Sequence, residues 1–176
     1  MSARSLTNHY GSVAITIHWI SALLIVALLA SGFRAANSLN LDDKSQLLSI
    51  HAPLGIAIFV LTLGRLLWWL FFDRKPDAIA GMPKVQTVSA RAVHGLFYLI
   101  IFGMVASGIT MFALSGAGKI IFGGEVGKLP DFQDYGPRLP HGIGARLMIV
   151  LLIFHTGAAL YHHFVKKDGL LRRMWY

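Results

Sequence analysis

The sequence predicts an all-α membrane protein built as a bundle of four transmembrane helices. Of its 176 residues, 55% are hydrophobic and only 14% are charged, and the mean hydropathy is +0.61. Soluble domains are usually about 25% charged, and a spanning helix needs roughly 20 mostly apolar residues. Four stretches meet that requirement, at about 13–33, 47–72, 90–114 and 139–165. We expect one domain over residues 1–176.

The first stretch resembles a signal peptide only at its edges, where Arg4 precedes it and Ala27–Ala30 supplies small residues. Its apolar run is too long for a signal-peptide core of about 7–15 residues. It also carries His18 and Trp19, so we interpret it as a retained span. The other three stretches contain Gly or Pro, which membrane helices tolerate.

Positive charge predicts the orientation of the four spans. The loop after the second span and the C-terminal tail are rich in basic residues, namely Arg74, Lys75, Lys84, Arg91, Lys166, Lys167, Arg172 and Arg173. The other two loops mix acidic and basic residues. The positive-inside rule therefore places both termini in the cytoplasm of a bacterium and the chain in its inner membrane. The cations flank apolar runs, so the net charge of +8 indicates lipid contact and no nucleic acid partner.

The loop from about 115 to 138 is longer than the 12–15 residues that ordinary connections need. Two interpretations stay open from the sequence. The loop is either a lid over a periplasmic site or a flexible connector.

Five histidines lie inside the predicted spans: His18, His51, His94, His141 and His155. A titratable ring at membrane depth is costly and indicates a functional site. Histidine is a common axial ligand of haem iron, and the absence of cysteine excludes thiolate ligation. The histidines therefore predict haem binding.

Spacing divides four of these histidines into two pairs. His141 and His155 are fourteen residues apart, which leaves them within roughly 40° on one helix face and about 21 Å apart along it. His51 can complete a periplasmic pair with His141, and His18 can complete a cytoplasmic pair with His155. Because bundle cores hold cofactors between facing helices, the pattern predicts two six-coordinate haems.

Four further polar residues are candidates for cofactor contacts. His94 competes for the cytoplasmic level, and we interpret it as a propionate, water or quinone contact rather than an iron ligand. Arg65 and Arg146 lie within spans, where they could pair with haem propionates or extend towards the head groups. His162 could relay protons or hold a quinone head group, or it could belong to an ordinary basic helix end.

Glycine is frequent in the spans, at Gly55, Gly64, Gly95, Gly103, Gly108, Gly142, Gly144 and Gly157. Glycine lets a helix or a flat macrocycle approach the backbone closely. Close helix packing and haem binding would both favour these residues.

In these residues the chain resembles the prokaryotic cytochrome b561 family, whose members are four-helix di-haem membrane proteins. The resemblance covers essentially the whole chain. It rests on Ile17-His18-Trp19, His51, Arg65, Ala92-Val93-His94-Gly95, His141, His155 and the ending from Ala158 to Phe164 with Leu170–Met174.

The resemblance implies haems b held by His51 with His141 and by His18 with His155. It also implies electron transfer to a quinone, such as ubiquinone, at the cytoplasmic side. Some family members are associated with superoxide oxidation at a basic periplasmic surface. Related di-haem subunits dock on hydrogenases or formate dehydrogenases.

We therefore expect a quinone-linked cytochrome b, with superoxide as the hypothetical electron donor. Lys119, Lys128 and Arg138 in the third loop could steer that anion. One alternative is a cytochrome subunit that docks on a redox partner protein, a hydrogenase or dehydrogenase. Another is a transporter that binds Zn²⁺ or Cu²⁺ through histidine, against which the lack of Asp and Glu in the span cores counts.

Overall fold

A computed structural model describes residues 2–79, 81–125 and 127–175. Within these ranges all regular structure is helical. The helices are α1 (Ser12–Asn37), α2 (Leu41–Phe71), α3 (Lys84–Ser115), α4 (Ala117–Phe122) and α5 (Arg138–Tyr161). Helix α5 continues into a π-helical segment, His162–Lys166. One short 3₁₀ turn, Phe132–Asp134, lies between α4 and α5, and another, Leu171–Met174, follows the π-helical segment.

The four predicted spans are confirmed as helices. Among the described residues, four helices are long and apolar enough to cross a membrane, and only 6–22% of their most apolar stretches is buried inside the protein. Large side chains such as Leu23 and Leu99 are 72% and 68% exposed. Such extensive apolar surface is what lipid contact requires, because a soluble monomer rarely exposes it.

The connection between the first two spans is shorter than expected. The sequence suggested a loop from Arg34 to Gln46, but α1 and α2 extend on both sides and leave only residues 38–40 between them. The side-chain oxygen of Asn40 accepts hydrogen bonds from the backbone N–H groups of Asp42 and Asp43, at 2.8 and 3.3 Å. Asn40 is thus an N-cap residue that starts α2 before the apolar run begins.

The chain divides into two compact units. The terminal unit comprises Met1–Ser21, Leu61–Leu99 and Met148–Tyr176, and the central unit comprises Ala22–Val60 and Ile100–Leu147. Each of the four long helices contributes one segment to each unit.

In the terminal unit, hydrogen bonds tie the N-terminal segment to the rest of the unit. The backbone N–H and the hydroxyl of Ser5 donate to the carboxylate of Asp73 at 3.0 and 2.8 Å. Nε of Arg173 donates to the carbonyl of Asn8 at 2.7 Å. Polar contacts of this kind order a segment that has few apolar side chains of its own.

In the central unit, the described part of the third loop is folded. Ala117, Leu129 and Phe132 are buried in one cluster with Met111 of α3. Lys44 lies 5.5 Å from the centroid of the Phe132 ring. The segment therefore has a small core of its own rather than the character of a flexible connector.

Asp73 makes the attachment of the N-terminal segment sensitive to pH. Partial burial alone would raise the pKa of Asp73, but hydrogen bonds from Ser5, Arg74 and Trp68 outweigh it and hold the pKa below 3.8. A carboxylate with a lowered pKa stabilises the fold above its unfolded-state pKa, and this stabilisation is lost as the pH falls through the folded-state pKa.

At neutral pH we expect Asp73→Ala to speed amide exchange at Ser5 about tenfold, because one charge-assisted acceptor is lost.

Hydrogen–deuterium exchange of the protein in nanodiscs, corrected for intrinsic rates, measures this effect. Wild-type protection at Ser5 should fall below about pH 4, whereas the alanine variant should show no such step. Equal protection in both proteins at neutral pH would show that Asp73 does not hold the segment.

Candidate haem sites

Two of the predicted ligands face each other in the central unit. His51 of α2 and His141 of α5 have ring centroids 6.2 Å apart, with their planes at 64°. Both rings are half-buried. The structure thus brings together the pair that the sequence assigned to one level.

Each of these histidines is hydrogen-bonded to a serine of the helix beside it. Nδ1 of His51 lies 3.0 Å from Oγ of Ser31 in α1, and Nδ1 of His141 lies 3.0 Å from Oγ of Ser107 in α3. In each ring, Nε2 is the nitrogen that is not bonded to one of these serines. Second-shell bonds of this type orient histidines that bind metals.

A glycine follows each serine and lets the ring approach the helix. A Cβ at Gly32 would lie 2.9 Å from Cε1 of His51, and a Cβ at Gly108 would lie 3.3 Å from Cε1 of His141. Close approach of this kind is a reason to have glycine inside a helix. By contrast, no protein atom lies within 4 Å of a Cβ at five other span glycines, namely Gly55, Gly64, Gly95, Gly103 and Gly157.

The sequence analysis missed Ser31, Ser107 and Gly32. A signal was present, because Ala-Ser-Gly occurs at residues 30–32 and again at 106–108, each time with its serine thirteen residues after a histidine. Small residues in apolar helices are usually packing residues, so a single tripeptide carries little information. Its repetition at one spacing is the informative feature.

The second predicted pair lies in the terminal unit. The ring centroids of His18 in α1 and His155 in α5 are 6.2 Å apart, with their planes at 60°. His94 of α3 also contacts His155, with centroids 5.5 Å apart. His18 and His155 are half-buried, whereas His94 is exposed.

The two arginines differ in their surroundings. Nε of Arg65, in the terminal unit, is buried and has no hydrogen-bond partner in the described protein. Arg146, in the central unit, is exposed, and its Nη1 donates to the carbonyl of Gly142 at 3.0 Å. A buried donor without a partner is expensive, so Arg65 is suited to an anionic group that the protein itself does not supply.

His162 is buried at the start of the π-helical segment. Its Nδ1 is hydrogen-bonded to the carboxylate of Asp168. Partial burial alone would raise the pKa of Asp168, but the bond to His162 and other hydrogen bonds hold it below 3.8. The pair is thus a polar group within the terminal unit.

The geometry of both facing pairs fits a haem iron. A metal–imidazole bond is about 2 Å long, so two histidine rings that share one metal ion would have centroids roughly 6 Å apart. Both pairs are at 6.2 Å. Within the described ranges, no three or more His, Cys, Asp or Glu side chains form a site for a bare metal ion. The buried Nε of Arg65 adds a position for a propionate.

Four spanning helices with facing imidazoles inside them define a membrane cytochrome. The sequence matches the prokaryotic cytochrome b561 family over residues 9–176, and the chain belongs to that family. It is a membrane electron-transfer protein that binds haem b, as this membership implies. The transporter alternative is therefore not retained.

Several curated relatives cover almost the full chain. Cytochrome b561 homolog 2 of Escherichia coli is 26% identical, over 99% of this chain and 95% of its own length. The probable superoxide oxidase CybB of Yersinia pestis is 29% identical, over 94% of both chains. Cytochrome b562 of Cereibacter sphaeroides is 28% identical, also over 94% of both chains.

Substitution of the two close-approach glycines should disturb haem binding in proportion to the crowding. Gly32→Ala forces the ring of His51 to move, since its Cβ would lie at 2.9 Å, and we expect loss of at least half of one haem equivalent. Gly108→Ala should have a smaller effect, because 3.3 Å requires only a small shift. Haem content per chain, measured by the pyridine haemochrome assay, gives the result.

Gly118→Ala is the matched control, because Gly118 lies in α4, outside the four spans, and a Cβ there meets only a ring carbon of Phe112, at 3.8 Å. This variant should keep wild-type haem content. An effect of Gly118→Ala as large as that of Gly32→Ala would mean that crowding of the histidine is not the cause.

Proposed function

We propose that this chain is a di-haem cytochrome b that oxidises superoxide to dioxygen and passes the electrons to a membrane quinone. His51 and His141 would hold one haem, and His18 and His155 would hold the other. The observation that carries this proposal is the repetition of one centroid separation, 6.2 Å, at two pairs in two units. When bound, haem supplies one-electron exchange at its iron, and the protein supplies the ligands that hold it.

His94 is proposed as a contact of the cofactor or quinone and not as an axial ligand. Its centroid is 5.5 Å from that of His155, closer than the separation at either facing pair. It is also exposed, whereas His18 is half-buried. Arg65, with its buried unpaired Nε, is the proposed partner of a propionate. Arg146 is a weaker candidate for the same role because its own helix already accepts one of its hydrogen bonds.

The terminal unit contains groups suited to a quinone. Asp168 accepts the hydrogen on Nδ1 of His162, so Nε2 is the atom that would receive a proton and donate it to a quinone oxygen. Two superoxide ions supply the two electrons that reduce one quinone, and two protons complete the quinol. By the positive-inside rule, the basic residues of this unit predict that it lies at the cytoplasmic side.

The third loop, which belongs to the central unit, would face the periplasm by the same rule and meet superoxide. Lys119 and Lys128 are exposed in this unit, and Arg138 is half-buried at the start of α5. Exposed cations raise the local concentration of a small anion and its rate of encounter. The likeness to a probable superoxide oxidase supports this choice of donor.

Removal of single ligands should change the haem stoichiometry in steps. We expect wild-type protein to bind two haems per chain and His51→Ala, His141→Ala and His155→Ala to bind one each. A lost axial imidazole takes with it most of the affinity for the iron at that site. Haem analysis and absorption spectra of purified protein measure this.

His94→Ala tests the assignment of the fifth histidine and should retain both haems, whereas His18→Ala should retain one. The matched control is His163→Ala, since His163 lies outside both facing pairs. If His94→Ala loses a haem while His18→Ala keeps two, the terminal pair is assigned to the wrong histidine.

Stopped-flow mixing with superoxide tests the donor. We expect reduction of the haem of oxidised wild-type protein, at a rate that falls as ionic strength rises. Lys119→Glu with Lys128→Glu should slow it about tenfold at low salt without changing haem content, because the field that attracts the anion is reversed. Lys166→Glu, on the terminal unit, is the control. A protein that dithionite reduces but superoxide does not would instead be a cytochrome subunit that receives electrons from a partner protein.

A further inference from the structure

The central histidine pair is held by two serines in matching positions, and the hydroxyl protons of those serines are already used. Oγ of Ser31 donates to the carbonyls of Ala27 and Leu28 of its own helix, at 2.8 and 3.2 Å. Oγ of Ser107 donates to the carbonyl of Met104 at 3.0 Å. A hydroxyl has one proton and two lone pairs, so each serine presents a lone pair to the ring beside it.

A lone pair at 3.0 Å from Nδ1 requires that Nδ1 carries the hydrogen. The contact with serine therefore selects the tautomer in which Nε2 of each ring has its lone pair free to bind a metal.

We propose that Ser31 and Ser107 are positioning residues that fix the tautomers of His51 and His141 and thereby lower the reduction potential of the haem held by that pair. This inference rests on the proposed ligation by His51 and His141. An N–H that donates to oxygen makes its imidazole a stronger electron donor to the metal. A stronger donor favours the oxidised iron, and second-shell bonds are among the protein's means of tuning haem potential.

The two bonds have the same length, 3.0 Å, and each joins a serine to the histidine of a different helix. We therefore expect the two serines to contribute similarly. Each of Ser31→Ala and Ser107→Ala should raise the potential of one haem by about 59 mV, which corresponds to a tenfold change in a one-electron equilibrium. The double variant should shift it by about the sum, and the other haem should keep its potential.

Potentiometric titration of the full-length protein in nanodiscs, followed by optical and EPR spectra, measures both potentials. The His51→Ala protein, which keeps the other haem, identifies which titration step belongs to that haem. Thr110→Val is the matched control, because the hydroxyl of Thr110 bonds to the carbonyl of Ala106 in the same helix as Ser107, at 2.8 Å. Its potentials should equal those of the wild type.

Threonine variants keep the test decisive if the alanine variants lose haem. Ser31→Thr and Ser107→Thr retain a hydroxyl that bonds to its own helix, and two haems at wild-type potentials in these proteins would support the assignment. Threonine variants that shift or lose haem as the alanine variants do would overturn it. Unchanged potentials in both alanine variants with full haem content would also overturn it.

Failure of the ligation itself would give a different result. In that case His51→Ala and His141→Ala would keep two haems, whatever the serine variants do. That result would overturn the ligation by His51 and His141, and the serine assignment with it.

Discussion

An imidazole placed in an apolar helix has to find partners for both of its nitrogens, and this constraint explains most of the central unit. Nδ1 of His51 and of His141 is bonded to a serine, and the centroids of the two rings lie 6.2 Å apart. The serine can reach the ring only because a glycine beside it leaves room. Serine, glycine and histidine thus form one structural element that neither a packing argument nor a ligand argument explains alone.

The histidines of the terminal unit have different neighbours from those of the central unit. His155 contacts the rings of His18, His94 and Phe97, and Arg65 contributes a buried donor. His162 and Asp168 add a hydrogen-bonded pair. The proposed reduction of a quinone would consume protons, whereas the proposed entry of electrons from superoxide would not. The terminal unit, to which the quinone is assigned in that proposal, is the unit with these additional polar groups.

Features that depend on composition could be predicted from the sequence. Features that depend on a single contact could not. Apolar runs located all four spans, and helical spacing paired the histidines that the structure brings together. The early start of α2 was missed because it depends on one capping side chain, that of Asn40. Depth alone also left His18 and His94 as competitors, because both lie near the cytoplasmic ends of their predicted spans. The proposed assignment of His18 as the ligand depends on the ring separations.

The spacings also show where the two halves of the chain differ. His18 precedes Ser31, and His94 precedes Ser107, by thirteen residues. In the other two long helices, His51 is followed after fourteen residues by Arg65, and His141 is followed after fourteen residues by His155. One half consists of α1 and α2, and the other half consists of α3 and α5. The two halves have the same residue types at these spacings, except that Arg65 stands in the first half where His155 stands in the second.

This position marks the difference between the two groups of histidines. In the central unit, His51 and His141 each have a serine neighbour, one from each half. In the terminal unit, the single histidine on α5 contacts two histidines, on α1 and α3, and arginine stands in the remaining place. Under the proposed ligation only one of those two rings binds the haem iron, so His94 and Arg65 would contact the cofactor's acidic groups or a quinone.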